Sequence, residues 1–393
     1  MAENQICDTL QIHAGSILGH CYEVVDLLGE GSFGLVTKCC NTETNEMVAI
    51  KVSKNNSEIM HQAREEIAIL KQLQCLDPDQ CHIVRWNDFF FNKHLICLNF
   101  ELLDQNLRIF QQERNIETLS IGEISPILYQ MATALLHLSN IGIVHMDIKT
   151  ENIMVSDCNQ EPLTFKLIDF GLAKVVSSLK PSDYGQTTWY RAPEVMLGIP
   201  FNEAIDMWSL GIVAVSLATG HHLYPGETDY DALSYIIETQ GTPSDSMLER
   251  GLRSHYYFKK QNDSSSGWQF KTPEEMGSPP AESRALNLKS LEEIEVVQKC
   301  DKEGLFVNLV TMMLQLDHEL RIKPAEFLLH SFFNPSLTLH SVDKENPSSS
   351  PTNSSQTEQI QVEDQKEATI QEQAKDGWLK RLFRRIQGAF KRN

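Results

Sequence analysis

The chain has 393 residues, 41% of them hydrophobic, and a formal net charge of -19 from 53 acidic and 34 basic side chains. That length suggests two or three structural units with large cores, and the acidic balance argues against nucleic-acid binding over the whole surface. No run approaches the ~18 apolar residues that span a bilayer, Met1 opens no secretory signal, and nine cysteines without a C-x-x-C pair read as reduced thiols of a soluble intracellular protein.

Residues 1–21 are a leader without a clear period. A strand-like stretch, Tyr22 to Leu28, leads into Gly29-Glu30-Gly31-Ser32-Phe33-Gly34-Leu-Val36 and on to Cys40. A turn at Asn41–Asn45 precedes Met47-Val-Ala49-Ile-Lys51-Val, so this region reads as a run of hairpins. Residues 58–73 switch to helical spacing, with Ile67, Leu70 and Leu73 on one face. Two strands follow, around His82–Phe91 and His94–Phe100. After Glu101 the pattern is helical, with Ile124, Ile127, Leu128, Met131, Leu135 and Leu138 in register. Ala204–Thr219 is apolar nearly all round and reads as a buried helix. Residues 258–300 form a polar excursion, and helices near Leu305–Leu316 and Pro324–Phe333 close the region. A β-rich part followed by a helical part predicts an α+β protein of two lobes, 22–101 and 102–333. Residues 334–374, with Ser348-Ser-Ser-Pro, read as a disordered linker.

The chemistry-bearing stretch is Ile143-Val-His-Met-Asp147-Ile-Lys149-Thr-Glu-Asn152. Short apolar strands on either side would fix its polar side chains. Asp147 can accept a proton from a hydroxyl, Lys149 can hold a negative oxygen, and Asn152 can ligate a divalent metal. These are the parts that move a phosphoryl group onto an alcohol; a polar loop with Asp147 as a cap is the plainer reading. The glycines at 29, 31 and 34 let a hairpin lie close over phosphates, although such hairpins also occur as plain turns. Lys51 in an apolar strand needs an anion or a carboxylate, unless it snorkels to the surface. Glu66 is its expected partner and Glu65 the competitor. Asp169-Phe-Gly171, after the strand Phe165–Ile168, suits a metal site. Arg191-Ala-Pro-Glu194, Asp206-Met-Trp-Ser-Leu-Gly211 and Arg321 complete an ordered set that chance would hardly assemble.

With these motifs, residues 22–333 resemble the eukaryotic protein kinases. Phe100-Glu-Leu-Leu-Asp-Gln-Asn-Leu107, Glu151-Asn-Ile-Met154, Gly198-Ile-Pro-Phe201 and Leu223-Tyr-Pro-Gly226 are most similar to the homeodomain-interacting and dual-specificity tyrosine-regulated kinases. The resemblance implies ATP and Mg²⁺ as cofactors. It implies that Lys51 meets the α/β-phosphates and pairs with Glu66, that Asp147 orients the substrate hydroxyl, and that Asn152 and Asp169 hold Mg²⁺. Nucleotide contacts would come from Leu28, Gly29, Glu30, Gly31, Ser32, Phe33, Gly34, Val36, Ala49, Phe100, Glu101, Leu103 and Met154. Lys149 and Thr187 follow the serine/threonine pattern, Tyr184 is the activation-loop tyrosine, Glu194 and Arg321 form a buried pair, and Asp206 is structural. Met146, Thr150 and Thr188 depart from the pattern. Thr188 stands where the relatives have an arginine that contacts phosphotyrosine, which leaves the clamping of Tyr184 and a proline preference open.

At the end of the chain, Trp378, Leu379, Leu382, Phe383, Ile386, Ala389 and Phe390 fall on one helical face, and seven basic residues accompany Asp376 in 375–393. A basic amphipathic helix suits an anionic membrane surface or a calmodulin-like groove; nuclear import and docking on the acidic remainder are alternatives. The resulting expectation is a monomeric serine/threonine kinase of the nucleus or cytoplasm. Its rivals are a pseudokinase scaffold and an adaptor working through the C-terminal helix.

Overall fold

The computed structural model describes residues 12–31, 34–260, 267–277 and 302–333. The expectations for Ser32, Phe33, residues 1–11 of the leader, much of the excursion 258–300, the linker 334–374 and the helix 375–393 lie outside the described residues. The chain divides into two compact units, one holding Met1–Arg114 with Thr133–Ser178, the other Asn115–Ala132 with Leu179–Asn393. The helix α3 (Ile121–Asn140) contributes to both.

The first unit is built on β1 (Ile17–Leu18), β2 (Tyr22–Glu30), β3 (Gly34–Asn41), β4 (Met47–Ser53), the helix α1 (Ser57–Leu73), β5 (Trp86–Asn92) and β6 (Leu95–Glu101). The strands form one sheet in the order β1-β2-β3-β4-β6-β5, antiparallel throughout. Alternation along the strands separates its faces. Leu18, Val24, Cys39, Val48, Ile50, Val52, Leu95 and Cys97 bury one face as a continuous apolar cluster. Val36, Ala49, Lys51 and Phe100 share the other, as the pairings Val36↔Lys51 and Ala49↔Phe100 require, and all four are only partly buried. The β3–β4 turn forms as expected: Asn41 Oδ1 accepts from Glu43 N at 3.0 Å and from Thr44 N at 3.4 Å, and Asn45 takes a left-handed φ of 58°.

α1 starts where Asn56 caps the nitrogens of Glu58 and Ile59, and it ends with Lys71 in its last turn. Its buried stripe is Ala63, Glu66, Ile67, Leu70 and Leu73, so a carboxylate sits among apolar residues. Beyond β6 come β7 (Gln105–Asn106), α2 (Leu107–Glu113), β8 (Ile143–Val144), β9 (Ile153–Val155), β10 (Phe165–Leu167) and β11 (Lys174–Val175). β10, β9 and β7 form a small sheet, and β8 pairs with β11. The strand expected from His82 begins only at Trp86. Residues 82–84 turn away to β10 instead, where Val84 N donates to Leu167 O at 2.9 Å and Leu167 N to His82 O at 2.8 Å.

The second unit continues with α4 (Pro193–Leu197), α5 (Ala204–Thr219), α6 (Asp229–Gln240), α7 (Asp245–Arg250), α8 (Ser254–Tyr257), β12 (Phe258–Lys260), β13 (Trp268–Phe270), α9 (Lys302–Met313) and α10 (Pro324–Leu328). α5 is buried on nearly every side, as its composition predicts, and stops at Gly220 in a left-handed conformation. A side chain at Gly211 would lie 2.8 Å from Leu314 Cδ2, so this glycine permits the close packing of the segment after α9. The hairpin β12–β13 within the polar excursion was not expected. Phe270 stacks on Tyr230 at 4.8 Å and meets Phe258 edge-on, which gives an otherwise polar stretch an apolar anchor.

Glu194 and Arg321 form a fully buried fork, with Arg321 Nη1 and Nη2 donating to the two carboxylate oxygens at 2.6 and 3.0 Å. Arg321 also donates to the carbonyls of Gln315 and Ala204. Removing the carboxylate leaves a buried cation without its counter-charge. Glu194→Ala is therefore expected to cost about 3–5 kcal/mol, read as a lower urea midpoint than the wild type.

Candidate functional site

The first unit gathers most of the residues singled out by sequence. Lys51 leaves β4 on the partly buried face, and its ammonium donates to Glu66 Oε1 and Oε2 at 2.8 and 2.9 Å and to Asp169 Oδ1 at 2.8 Å. Glu65, the competitor, points outward toward His61 with its side chain 60% exposed. Burial pulls the Lys51 ammonium down, but the Glu66 and Asp169 carboxylates outweigh it and hold the cation well above its ordinary value. Burial pushes the Glu66 carboxyl up against the opposing pull of Lys51. Burial also pushes Asp169 up, yet Lys51 overcomes it and brings the carboxyl down to about 2.

Asp169 follows β10 with a φ of 61°, a left-handed conformation uncommon for a non-glycine residue, and Gly171 N donates back to its Oδ1 at 3.3 Å. His145 ties this turn to the loop before β9. Asp147 N donates to His145 Nδ1 at 3.2 Å, which assigns the ring proton to Nε2, and Nε2 then donates to Ile168 O at 3.0 Å. The ring also meets Phe170 edge-on at 5.0 Å. Met146, between His145 and Asp147, is buried with a φ of 66°.

Within the loop, Lys149 Nζ donates to Asp147 Oδ2 at 2.7 Å. Asn152 Nδ2 donates to Asp147 O at 2.8 Å and to Asp147 Oδ2 at 3.1 Å. The amide nitrogen is thus committed to Asp147, which leaves the carbonyl end of Asn152 for a cation. A one-turn 3₁₀ helix, Thr150–Asn152, sets this geometry, and Ile168 N donates to Asn152 O at 3.0 Å.

The remaining sheet residues surround the same face. Gly31 N donates to Gly34 O at 2.9 Å, closing the β2–β3 hairpin. A side chain at Gly34 would collide with Val52 O at 2.0 Å, whereas among the described residues nothing lies within 4 Å of where a side chain at Gly29 or Gly31 would begin. Leu28 and Glu30 are exposed along β2, Met154 is partly buried, and Leu103 is buried. Glu101 Oε1 accepts from Arg85 N and from Lys166 Nζ, both at 2.6 Å, and Lys166 also reaches Asp79 Oδ1 at 2.6 Å. Lys166 is a buried lysine that sequence reasoning missed; its place in the apolar run Phe165–Ile168 was the same signal that marked Lys51.

The second unit holds another cluster. Tyr184 donates its phenol to Asp229 Oδ2, and Arg191 Nη1 donates both to Tyr184 Oη at 3.0 Å and to Asp229 Oδ1. Arg191 also holds Gly185 O at 3.0 Å and Gln186 O at 2.7 Å. Gln186 has a φ of 66° and is fixed by its own amide, which donates to Ser209 Oγ at 2.7 Å and Ile205 O at 3.1 Å and accepts from Ala192 N at 3.0 Å. Thr187 precedes a one-turn 3₁₀ helix, Thr188–Tyr190. Asp206 is buried in the first turn of α5, where the helix dipole favours a carboxylate. Asp229 and Gln186 carried no signal in sequence, because their partners are distant along the chain.

The protein kinase domain family matches residues 22–333. Homeodomain-interacting protein kinase 2 of Mesocricetus auratus is 40% identical over 329 residues, covering 79% of this chain and 28% of that protein. Homeodomain-interacting protein kinase 1 of Mus musculus is 40% identical over 330 residues, with 79% and 27% covered. Homeodomain-interacting protein kinase 4 of Homo sapiens is 38% identical over 337 residues, with 79% and 55% covered. The matched region therefore spans between about a quarter and just over half of each relative's length. The chain belongs to the protein kinase domain family, with the α+β fold of that family and with homeodomain-interacting protein kinases among its relatives.

Proposed function

We propose that this chain transfers the γ-phosphoryl of Mg·ATP to serine or threonine hydroxyls of protein substrates. The observation that carries this reading is the joined set Lys51–Glu66–Asp169, with Asp147, Lys149 and Asn152 held beside one another in the neighbouring loop. A scaffold that had lost phosphoryl transfer would have no use for all of these groups together.

In the proposed reaction, Asp147 accepts the hydrogen bond of the target hydroxyl, orients its oxygen, and takes the proton as the O–P bond forms and the bond to the β-phosphate oxygen breaks. Lys149 neutralises charge on the transferred group. Lys51, held by Glu66, binds phosphate oxygens, and the open space above Gly29 and Gly31 lets main-chain N–H groups approach them. Val36, Ala49, Phe100, Leu103 and Met154 supply the apolar walls for the adenine, and Lys166 holds the side-chain carboxylate of Glu101 beside them. Asp169 and the carbonyl of Asn152 are hard oxygen donors that fit Mg²⁺. One carboxylate and one amide make no cage, but Mg²⁺ uses few protein ligands when phosphates supply the others. The metal, when bound, neutralises phosphate charge.

The serine/threonine assignment rests on Lys149 two residues after Asp147. Autophosphorylation of Tyr184 is what the family resemblance implies for the tyrosine of the second cluster. The segment 375–393 is proposed to contact an anionic membrane or a calmodulin-like partner, and the chain to act in the nucleus or cytoplasm. Among the described residues no helix is long and apolar enough to cross a membrane.

Lys51→Ala and Asp147→Asn are each expected to lower kcat for a generic basic protein at least about a hundredfold while the thermal transition stays sharp. Substantial transfer by either purified variant would refute the assigned roles. Removal of Mg²⁺ with EDTA is expected to abolish both transfer and most of the thermal shift produced by ATP. Asp169→Asn should lose that Mg²⁺-dependent part of the shift, a readout that needs no turnover.

A further inference from the structure

The cluster around Tyr184 has an electrostatic pattern of its own. Asp229, the first residue of α6, is buried. It accepts from the phenol of Tyr184 and from the guanidinium of Arg191. Burial, then the nearby Asp229 carboxylate, push the Tyr257 phenol up to about 12. Burial, then the hydrogen bond to Asp229, likewise raise the Tyr184 phenol above its ordinary value. Arg191 and Arg253 lie 4.2 and 5.2 Å from the centre of the Tyr184 ring.

A phosphoryl group on Tyr184 would replace the phenol proton with about -1.5 to -2 charges at pH 7. It would take the place of a donated hydrogen bond with a dianion set against the Asp229 carboxylate. It would also find few donors. Arg191 already donates to Gly185 O, Gln186 O, Tyr184 Oη and Asp229 Oδ1. Arg253 donates to Met196 O, Val195 O and Pro181 O. Thr188 brings no cation where the family resemblance implies an arginine.

We propose that Asp229 is a positioning residue for phosphoryl transfer: it holds the unphosphorylated Tyr184 and Arg191, so that residues 184–191 take their working arrangement without a phosphate on Tyr184. Arg191 transmits this to the backbone by fixing the carbonyls of Gly185 and Gln186, the latter in its left-handed conformation. The inference rests on the kinase reading above.

The test uses the full purified chain. One portion is treated with a tyrosine phosphatase and shown by peptide mass mapping to carry no phosphate on Tyr184. Transfer from Mg·ATP to a generic basic protein is then compared with that of the untreated chain, with Asp147→Asn as the blank. The expected result is an equal kcat/KM, within about twofold. Asp229→Ala should raise KM for the protein substrate at least tenfold, with KM for ATP little changed, and should speed hydrogen exchange across residues 184–191. Asp229→Asn, which keeps an acceptor and the shape, should recover most of the loss and guards against an alanine variant that fails to fold. Loss of tenfold or more on dephosphorylation, restored when Tyr184 is rephosphorylated, would overturn the positioning role of Asp229 and leave the kinase reading intact. Unchanged KM and unchanged exchange in a folded Asp229→Ala would overturn it as well. Absence of transfer from every sample would overturn both readings.

Discussion

A lysine ammonium inside the apolar strand Val48-Ala-Ile-Lys51-Val52 cannot stay charged without counter-charges, because burying an unpaired cation is far costlier than burying a paired one. The structure supplies two, from different elements. Glu66 comes from the buried stripe of α1 and Asp169 from the turn after β10. Each carboxylate would be unfavourable alone in its own surroundings, as the upward push of burial on both shows. Strand, helix and turn are thus bound by one ammonium. The left-handed backbone at Asp169 is held from both sides, by Lys51 on its carboxylate and by His145 on the preceding carbonyl.

That dependence explains why so much of the site was legible in the sequence. Lys51, Asp147, Asn152 and Asp169 are polar residues set at the ends or in the middle of short apolar runs, and such a residue must meet something. Hydrophobic period placed α1 and α5 almost to the residue, since an amphipathic or wholly apolar face fixes a helix's register. Tertiary pairings were less accessible. Lys166 sits in the same kind of apolar strand as Lys51, but nothing local says that its partners are Glu101 and Asp79. The segment 82–84 looked like the start of a strand by composition, and only its main-chain bonds to Leu167 show it leaving the sheet. Asp229 lies 45 residues from Tyr184, in a helix start that reads as ordinary capping sequence.

The glycines of the β2–β3 hairpin divide along similar lines. Gly34 is required by the fold, because a side chain there would strike the carbonyl of Val52. Gly29 and Gly31 are not required by any described neighbour, and a side chain at either would point into open space. Sequence spacing alone could not separate these roles. The structure assigns Gly34 to strand packing, while among the described residues nothing stands within 4 Å of where a side chain at Gly29 or Gly31 would begin.

Charge balance separates the two polar clusters in the same way. Around Lys51 and Asp147, the carboxylates Glu66, Asp169 and Asp147 outnumber the cations Lys51 and Lys149. An excess of carboxylate of this kind would suit a divalent cation, whose charge would offset it. Around Tyr184 the carboxylate of Asp229 pairs with Arg191 and accepts from the Tyr184 phenol, while the second guanidinium, Arg253, donates to the carbonyls of Val195, Met196 and Pro181. A second anion on Tyr184 would stand against the Asp229 carboxylate, with most of the guanidinium N–H groups already donated to backbone carbonyls. The same residue types therefore serve opposite ends. In the first unit an excess of carboxylate is gathered on one lysine, and in the second the carboxylate of Asp229 and the backbone carbonyls take up the guanidinium N–H groups.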